Sequence, residues 1–245
     1  MAGHGDGRPP GPGAMRWPPL VPGVFIRRLN RFAVEVAVGG EAVPAHLPNS
    51  GRLRELLVPG YRVWVAPRSG PRRTPFDLQL VELPGGVLVS ADARLPNRLF
   101  LESWAEGKLP EFAGFNRLTP EPRLDGGRLD FRLDGPSGTA YVEVKSITLV
   151  EAGTGLFPDA PTTRGRRHIE SLTAAASRGL GAFAVFVIQR PDAARFAPND
   201  AVDPEFGRLL RDAARRGVGV RAYRCTVTLA EIRIEGPVPV CLNPD

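Results

Sequence analysis

Lysine is almost missing from this chain. Of the 32 basic residues among 245, only Lys108 and Lys145 are lysines, and the other 30 are arginines. Arginine supplies positive charge nearly everywhere, so a retained lysine points to work that needs a compact ammonium and not a planar guanidinium. Cysteine is equally scarce: Cys225 and Cys241 are the only two. They are too few for a disulfide framework or a cysteine zinc site and are consistent with a reducing cytoplasm. No apolar run approaches the ~18–20 residues that span a bilayer as a helix, and Gly181 to Ile188 has the length of a buried strand. Residues 1–19 hold five glycines and five prolines and no apolar h-region. They read as a disordered tail and not as a signal peptide. The chain also has no Gly-rich phosphate loop opening a helix and no helix-turn-helix pattern, so nucleotide enzymes and sequence-reading regulators lack their usual signatures.

What is present describes a globular, basic protein. The hydrophobic fraction is 42%, the charged fraction 24%, and the net charge +6 with a sequence pI near 10.1. That balance suits an anionic partner, nucleic acid first. Residues 20–90 read as short strands over Val24–Leu29, Phe32–Val38, Ala42–Leu47, Tyr61–Ala66, Asp77–Leu83 and Val87–Ser90. With one helical turn at Arg52–Leu57, they predict a compact OB-like β-barrel. Residues 91–245 change rhythm. A helix capped by Asn97 runs to Glu106, with Leu99, Trp104 and Leu109 facing the core. Strands over Phe115–Arg123, Arg128–Asp134 and Thr139–Leu149 follow, then a helix over Arg164–Arg178 and a strand over Ala182–Gln189. Asp203-Pro204 caps a helix that Gly217 closes, and Val218–Val227 is a last strand. The fold class is therefore α+β, a mixed sheet with helices on its faces.

The two remaining carboxylates of interest fall beside the rare lysine. The turn Gly135-Pro136-Ser137-Gly138 joins its flanking strands as a hairpin, setting Asp134 opposite Thr139 and Asp130 opposite Glu143. Strand periodicity puts Glu143 and Lys145 on one face. Two facing carboxylates repel unless a cation lies between them, and Mg²⁺ or Mn²⁺ suits such oxygen ligands. Lys145, ~7 Å along the strand, is placed to stabilise a developing negative charge.

These residues resemble a known family. Asp130 and then Glu143-Val144-Lys145, after a helix carrying Glu102, resemble the PD-(D/E)XK nuclease core. The chain from residue 20 to about 235 also resembles the sugar fermentation stimulation protein family (SfsA). The matching segments are His46-Leu47-Pro48-Asn49-Ser50-Gly51-Arg52, Arg128-Leu129-Asp130-Phe131, Val142 to Leu149, and Phe157-Pro158-Asp159-Ala160 with Arg164-Gly165 and His168. The resemblance implies an OB-like domain followed by an αβββαβ nuclease-like domain, DNA as partner, and a Mg²⁺- or Mn²⁺-dependent phosphodiester cleavage. It implies Asp130 and Glu143 as metal ligands, Lys145 as the catalytic lysine and Glu102 as an accessory carboxylate; Glu121 is a further candidate ligand. The alternative is a DNA-binding regulator that keeps the fold without using it.

Basic segments complete the reading. Arg164, Arg166, Arg167 and His168 crowd a helix N-terminus, where the macrodipole disfavours cations and a phosphate would resolve the conflict. Asp159 and Glu170 are the competing neutralisers. In the barrel, Arg52, Arg54, Arg72 and Arg73 are candidate strand contacts, with Trp64 or Phe76 as stacking platforms unless they are core.

Overall fold

The computed structural model describes residues 14–70, 73–125 and 127–243. Five antiparallel strands, Val21–Asn30, Ala33–Val38, Glu41–His46, Arg62–Pro67 and Phe76–Glu82, form a barrel that a parallel pairing closes, Ala45 opposite Phe76 and His46 opposite Asp77. Their inward residues, Phe25, Val34, Val36, Val63 and Leu78 among them, are fully buried. The closure carries charge as well as ladder bonds. Asp77 is 6% exposed and is held by His46 Nδ1 at 3.0 Å and Arg68 Nε at 2.6 Å. Arg68 and His46 are thereby spent on structure, since a buried carboxylate is tolerated only when paired. The helical turn expected at Arg52–Leu57 is a single turn in which Leu56 and Leu57 both bond back to Leu53. Leu53 itself has a positive φ of 50°, a conformation no helix can continue.

The second domain is a seven-stranded mixed sheet in the order Met15–Arg16, Glu231–Pro237, Gly219–Val227, Gly181–Ile188, Gly138–Ile147, Phe131–Gly135 and Arg117–Pro120. Helix α1 (Leu95–Ala105) packs Leu99 and Phe100 on one face, with Phe112 and Val142. Helices α2 (Thr163–Ser177) and α3 (Pro204–Arg215) cover the other, with Ile169, Leu172 and Phe206 against Phe186. The αβββαβ order is present, joined as expected to an OB-like barrel. Thr162 caps α2 through Gly165 N–H at 3.0 Å, and Asp203 caps α3 through Phe206 N–H at 2.9 Å.

Four expectations are corrected. Met15–Arg16 is an edge strand of the second domain, pairing Ile232 and Glu231, and Trp17 Nε1 donates to the Thr228 carbonyl at 2.8 Å. The tail reading over 1–19 therefore fails at its C-terminal end, and residues 1–13 lie outside the described residues. The strand Glu231–Pro237, with Ile232 and Ile234 buried, extends the sheet beyond Val227. The strand expected over Phe115–Arg123 breaks at Glu121, whose φ is 51°, so that Arg123–Leu124 pairs instead with Gly127–Arg128 in a separate ribbon. Asn97 is not a cap: α1 begins two residues earlier at Leu95, with Pro96 in its first turn, and Asn97 stands inside it.

The domains share hydrogen bonds. Ser90 N–H donates to the Gln189 carbonyl at 3.1 Å and Ala93 N–H to the Pro48 carbonyl at 3.1 Å. Arg52 N–H donates to Asp159 Oδ2 at 2.8 Å, and Thr148 Oγ1 to Glu55 Oε1 at 3.2 Å. Among the described residues no helix is long and apolar enough to cross a membrane.

Candidate active site

The hairpin register is the one the turn dictates. Asp134 lies opposite Thr139 and Phe131 opposite Val142. The ladder stops there, and Asp130, one step beyond, turns its side chain back toward the neighbouring strand. Asp130 Oδ2 accepts from Val144 N–H at 2.8 Å, and Oδ1 accepts from Asn97 Nδ2 at 2.9 Å. Helix α1 thus contributes to this site through Asn97. Glu102, the helix carboxylate expected there, is half-exposed and its nearest charged partner is Arg98 at 4.0 Å. From Asn97 to Glu102 the helix turns five residues, about 140° around its axis from the Asp130 side.

Glu143 is the centre of the cluster, at 3% exposure. Its Oε1 accepts from Lys145 Nζ at 2.5 Å and from His168 Nδ1. Lys145 Nζ and His168 Nδ1 stand 3.1 Å apart because both converge on that oxygen. Arg164 Nε donates to His168 Nε2 at 3.4 Å. That direction makes Nε2 the acceptor and assigns the ring proton to Nδ1, where it donates to Glu143. The other oxygen, Oε2, is buried and has no hydrogen-bond partner.

The two carboxyls are shifted in opposite directions. Burial, and then the charge of Glu143, push Asp130 above its ordinary value against the bonds from Val144 and Asn97. Burial also pushes Glu143 up, but the His168 hydrogen bond and the Lys145 charge outweigh it and hold the carboxyl below its ordinary value. The surroundings thus favour the charged form of Glu143 and the protonated form of Asp130.

The remaining candidates divide. Glu121 is 69% exposed at its side chain and pairs with Arg128 at 2.8 Å. Among the described residues no three or more His, Cys, Asp or Glu side chains are arranged to hold a metal. The expected set of Asp130, Glu143 and Glu121 does not form such a group. Arg164 and Arg167 are exposed, and with Arg128 and His168 they line open cavities beside Asp130, one of which Glu121 also lines. Arg166 departs from them. Its guanidinium bonds Asp203, 0% exposed at its side chain, at 2.7 Å. The neutraliser is therefore Asp203, while Asp159 is occupied with Arg52. Losing hydrogen bonds to a charged group costs ~1–2 kcal/mol. Arg166→Ala should then lower the melting midpoint by about 3–6 °C in a chain of this size, which differential scanning calorimetry would read. An unchanged midpoint would return Arg166 to the nucleic-acid surface.

In the barrel, Arg52, Arg54 and Arg73 are exposed, and Arg72 lies outside the described residues. Trp64 packs against the buried cluster under α1, and Phe76 against the barrel core. Both are half-buried against core, and the large exposed aromatic among the described residues of this domain is Phe32, 49% exposed. Asn97, which the sequence marked only as a helix cap, and His168, which it marked only as a phosphate contact, are brought to the cluster by helices packed from opposite faces of the sheet.

An OB-like barrel bonded to an αβββαβ domain, with an Asp–Glu–Lys–His cluster at the end of its central hairpin, defines a two-domain class. Two family models match, the SfsA N-terminal OB domain over residues 26–90 and the sugar fermentation stimulation protein RE domain over residues 94–231. The chain belongs to the sugar fermentation stimulation protein family. It is 46% identical over 226 residues to the sugar fermentation stimulation protein homolog of Moorella thermoacetica, covering 91% of this chain and 97% of that one. The homolog of Chloroflexus aurantiacus is 44% identical over 246 residues, covering 98% and 94%. A solved structure of Pyrococcus furiosus SfsA in complex with Ca²⁺ aligns with a TM-score of 0.86 at 34% identity, covering 92% of this chain and 97% of that one.

Proposed function

We propose that the protein is a divalent-metal-dependent nuclease that cleaves DNA at the Asp130–Glu143–Lys145–His168 cluster. The observation that carries this reading is Glu143 Oε2, a buried carboxylate oxygen without a partner among the described residues, next to a second, half-buried carboxylate, Asp130. An unsatisfied buried charge is costly and rare unless a ligand completes it. Mg²⁺ is characteristically held by one or two carboxylates, with water and substrate phosphate filling its other positions. Asp130 and Glu143 fit that donor set, with Mn²⁺ as the alternative cation. The Ca²⁺ complex of the Pyrococcus furiosus relative supports a hard divalent cation in this family.

When bound, the cation supplies Lewis acidity and neutralises charge at the scissile phosphate. The chain's own residues do the rest. Asn97 and Val144 N–H fix the Asp130 carboxylate from both sides. Lys145 aims a compact ammonium where a phosphoryl oxygen gains charge in the transition state. His168 and Lys145 together keep Glu143 ionised, so the site does not lose its negative charge to a proton. Arg164 and Arg167, on the α2 turn beside these groups, hold the flanking phosphates. A purely regulatory DNA-binding protein would gain nothing from setting two carboxylates where phosphate must approach.

If about 4–6 phosphates are neutralised, log affinity should fall with log salt at a slope of about −3 to −5. Arg164→Ala with Arg167→Ala should flatten that slope by up to ~2 units. Fluorescence anisotropy across a salt series measures both, and a salt-independent affinity would contradict binding through phosphates.

A further inference from the structure

We infer that the cavity between the two domains is a pocket for one unpaired nucleoside of the bound strand, so that the substrate of the proposed nuclease is single-stranded or locally opened at this point. The inference rests on the nucleic-acid reading above and goes beyond it by naming the form of the strand.

The cavity holds about 310 Å³, within the size range of small-molecule sites and too small for a base pair with its backbone. The barrel contributes Arg31, Asn49, Ser50 and Leu53 to its walls, and the second domain contributes Thr148 and Phe157. Its floor, Ser146 to Leu149, continues the strand that carries Glu143 and Lys145. Ile147 follows Lys145 by one strand repeat, ~7 Å, so a nucleoside seated here neighbours the phosphate facing Lys145.

The walls are built to stay in place. Arg28 donates to the carbonyls of Gly51 at 2.8 Å, Arg52 at 3.0 Å and Arg31 at 2.8 Å, tying two barrel loops together. Gly51 sits so close to Asp159 that a Cβ there would lie 2.6 Å from Asp159 Oδ2. Within this frame Asn49 is 8% exposed and lines the cavity. Its Oδ1 accepts from Gly51 N–H at 2.8 Å, which fixes the side-chain amide on the cavity wall. A fixed amide NH₂ is suited to an acceptor on the edge of a base. At the mouth, the Arg31 guanidinium lies 5.3 Å from the centroid of exposed Phe32, a surface on which the next base can stack. Base pairing would deny a nucleoside both contacts.

The test is equilibrium binding in EDTA, by fluorescence anisotropy, of a labelled single-stranded DNA oligonucleotide and of the same sequence as a blunt duplex. Wild type, Ser50→Leu (which fills the cavity from its exposed rim), Phe32→Ala and Phe32→Trp are compared, with melting curves for each. Wild type should prefer the single strand about tenfold. Ser50→Leu and Phe32→Ala should each weaken single-strand binding about 5- to 50-fold, change duplex binding less than about twofold, and leave melting unchanged, while Phe32→Trp retains affinity. Equal binding of both forms, or single-strand binding indifferent to Ser50→Leu, overturns the pocket while the nuclease reading stands, because cleavage depends on Asp130, Glu143 and Lys145. Failure to bind either form overturns both.

Discussion

Replacing Lys145 by arginine is expected to lower cleavage by a factor of 10² or more, nearly as far as replacement by alanine. The chain uses arginine for positive charge 30 times, so a site that needed charge alone would accept it. The structure gives the reason it should not. Lys145 is 12% exposed at its side chain, with Nζ 2.5 Å from Glu143 Oε1 and 3.1 Å from His168 Nδ1. A guanidinium is broader and planar, and it cannot enter that seat without displacing the His168 ring or Glu143. Loss of a positioned charge in the transition state is typically worth ~3 kcal/mol, which is about 10² in rate. Cleavage and thermal melting of wild type, Lys145→Arg and Lys145→Ala separate the possibilities. Full activity in the arginine variant with loss in the alanine variant would reduce Lys145 to an electrostatic anchor.

Asp130→Asn is expected to abolish metal-dependent cleavage and, in the absence of metal, to stabilise the fold. Burial and Glu143 raise the Asp130 carboxyl above its ordinary value. The folded chain therefore resists losing this proton where the unfolded chain releases it. The destabilisation is absent below the ordinary carboxylate range and grows as pH rises from there through the raised folded value. Asparagine removes the charge and keeps polar atoms facing Val144 N–H and Asn97. The midpoint of metal-free Asp130→Asn should thus exceed that of wild type by about 2–4 °C at pH 8, for ~1 kcal/mol, and the two should converge near pH 4. Adding Mg²⁺ should raise the wild-type midpoint and not that of the variant. Calorimetry with and without Mg²⁺ at the two pH values checks this; a variant less stable than wild type at pH 8 would mean that the Asp130 bonds outweigh the repulsion.

Much of this site was legible because a hairpin propagates register. Once Pro136-Ser137 is read as the turn, Asp134 opposite Thr139 follows by counting, and Glu143 and Lys145 fall on one face. The scarcity of lysine pointed to the same strand. What counting misses is whatever arrives from another element. His168 reaches Glu143 from 25 residues away because α2 packs across the strand. Asn97 looks like a helix cap, and only the docking of α1 turns it toward Asp130. Glu121 sits at a positive-φ break that no periodicity announces, and a two-residue edge strand such as Met15–Arg16 is too short to have a period at all. Trp64 and Phe76 look alike in sequence as stacking platforms, but both pack half-buried against core, while Phe32, counted as strand, stands at an exposed turn.

The most direct measurement incubates purified wild type and Glu143→Gln with single-stranded DNA, duplex DNA and RNA, each in Mg²⁺, Mn²⁺ or EDTA. Glu143→Gln keeps the shape of the side chain and removes the buried charge that Lys145 and His168 hold. Wild type should cleave DNA with either cation and lose all cleavage in EDTA, while Glu143→Gln still binds DNA and does not cleave it. Cleavage by Glu143→Gln at the wild-type rate, or no cleavage of any substrate by wild type with either cation, would contradict the account.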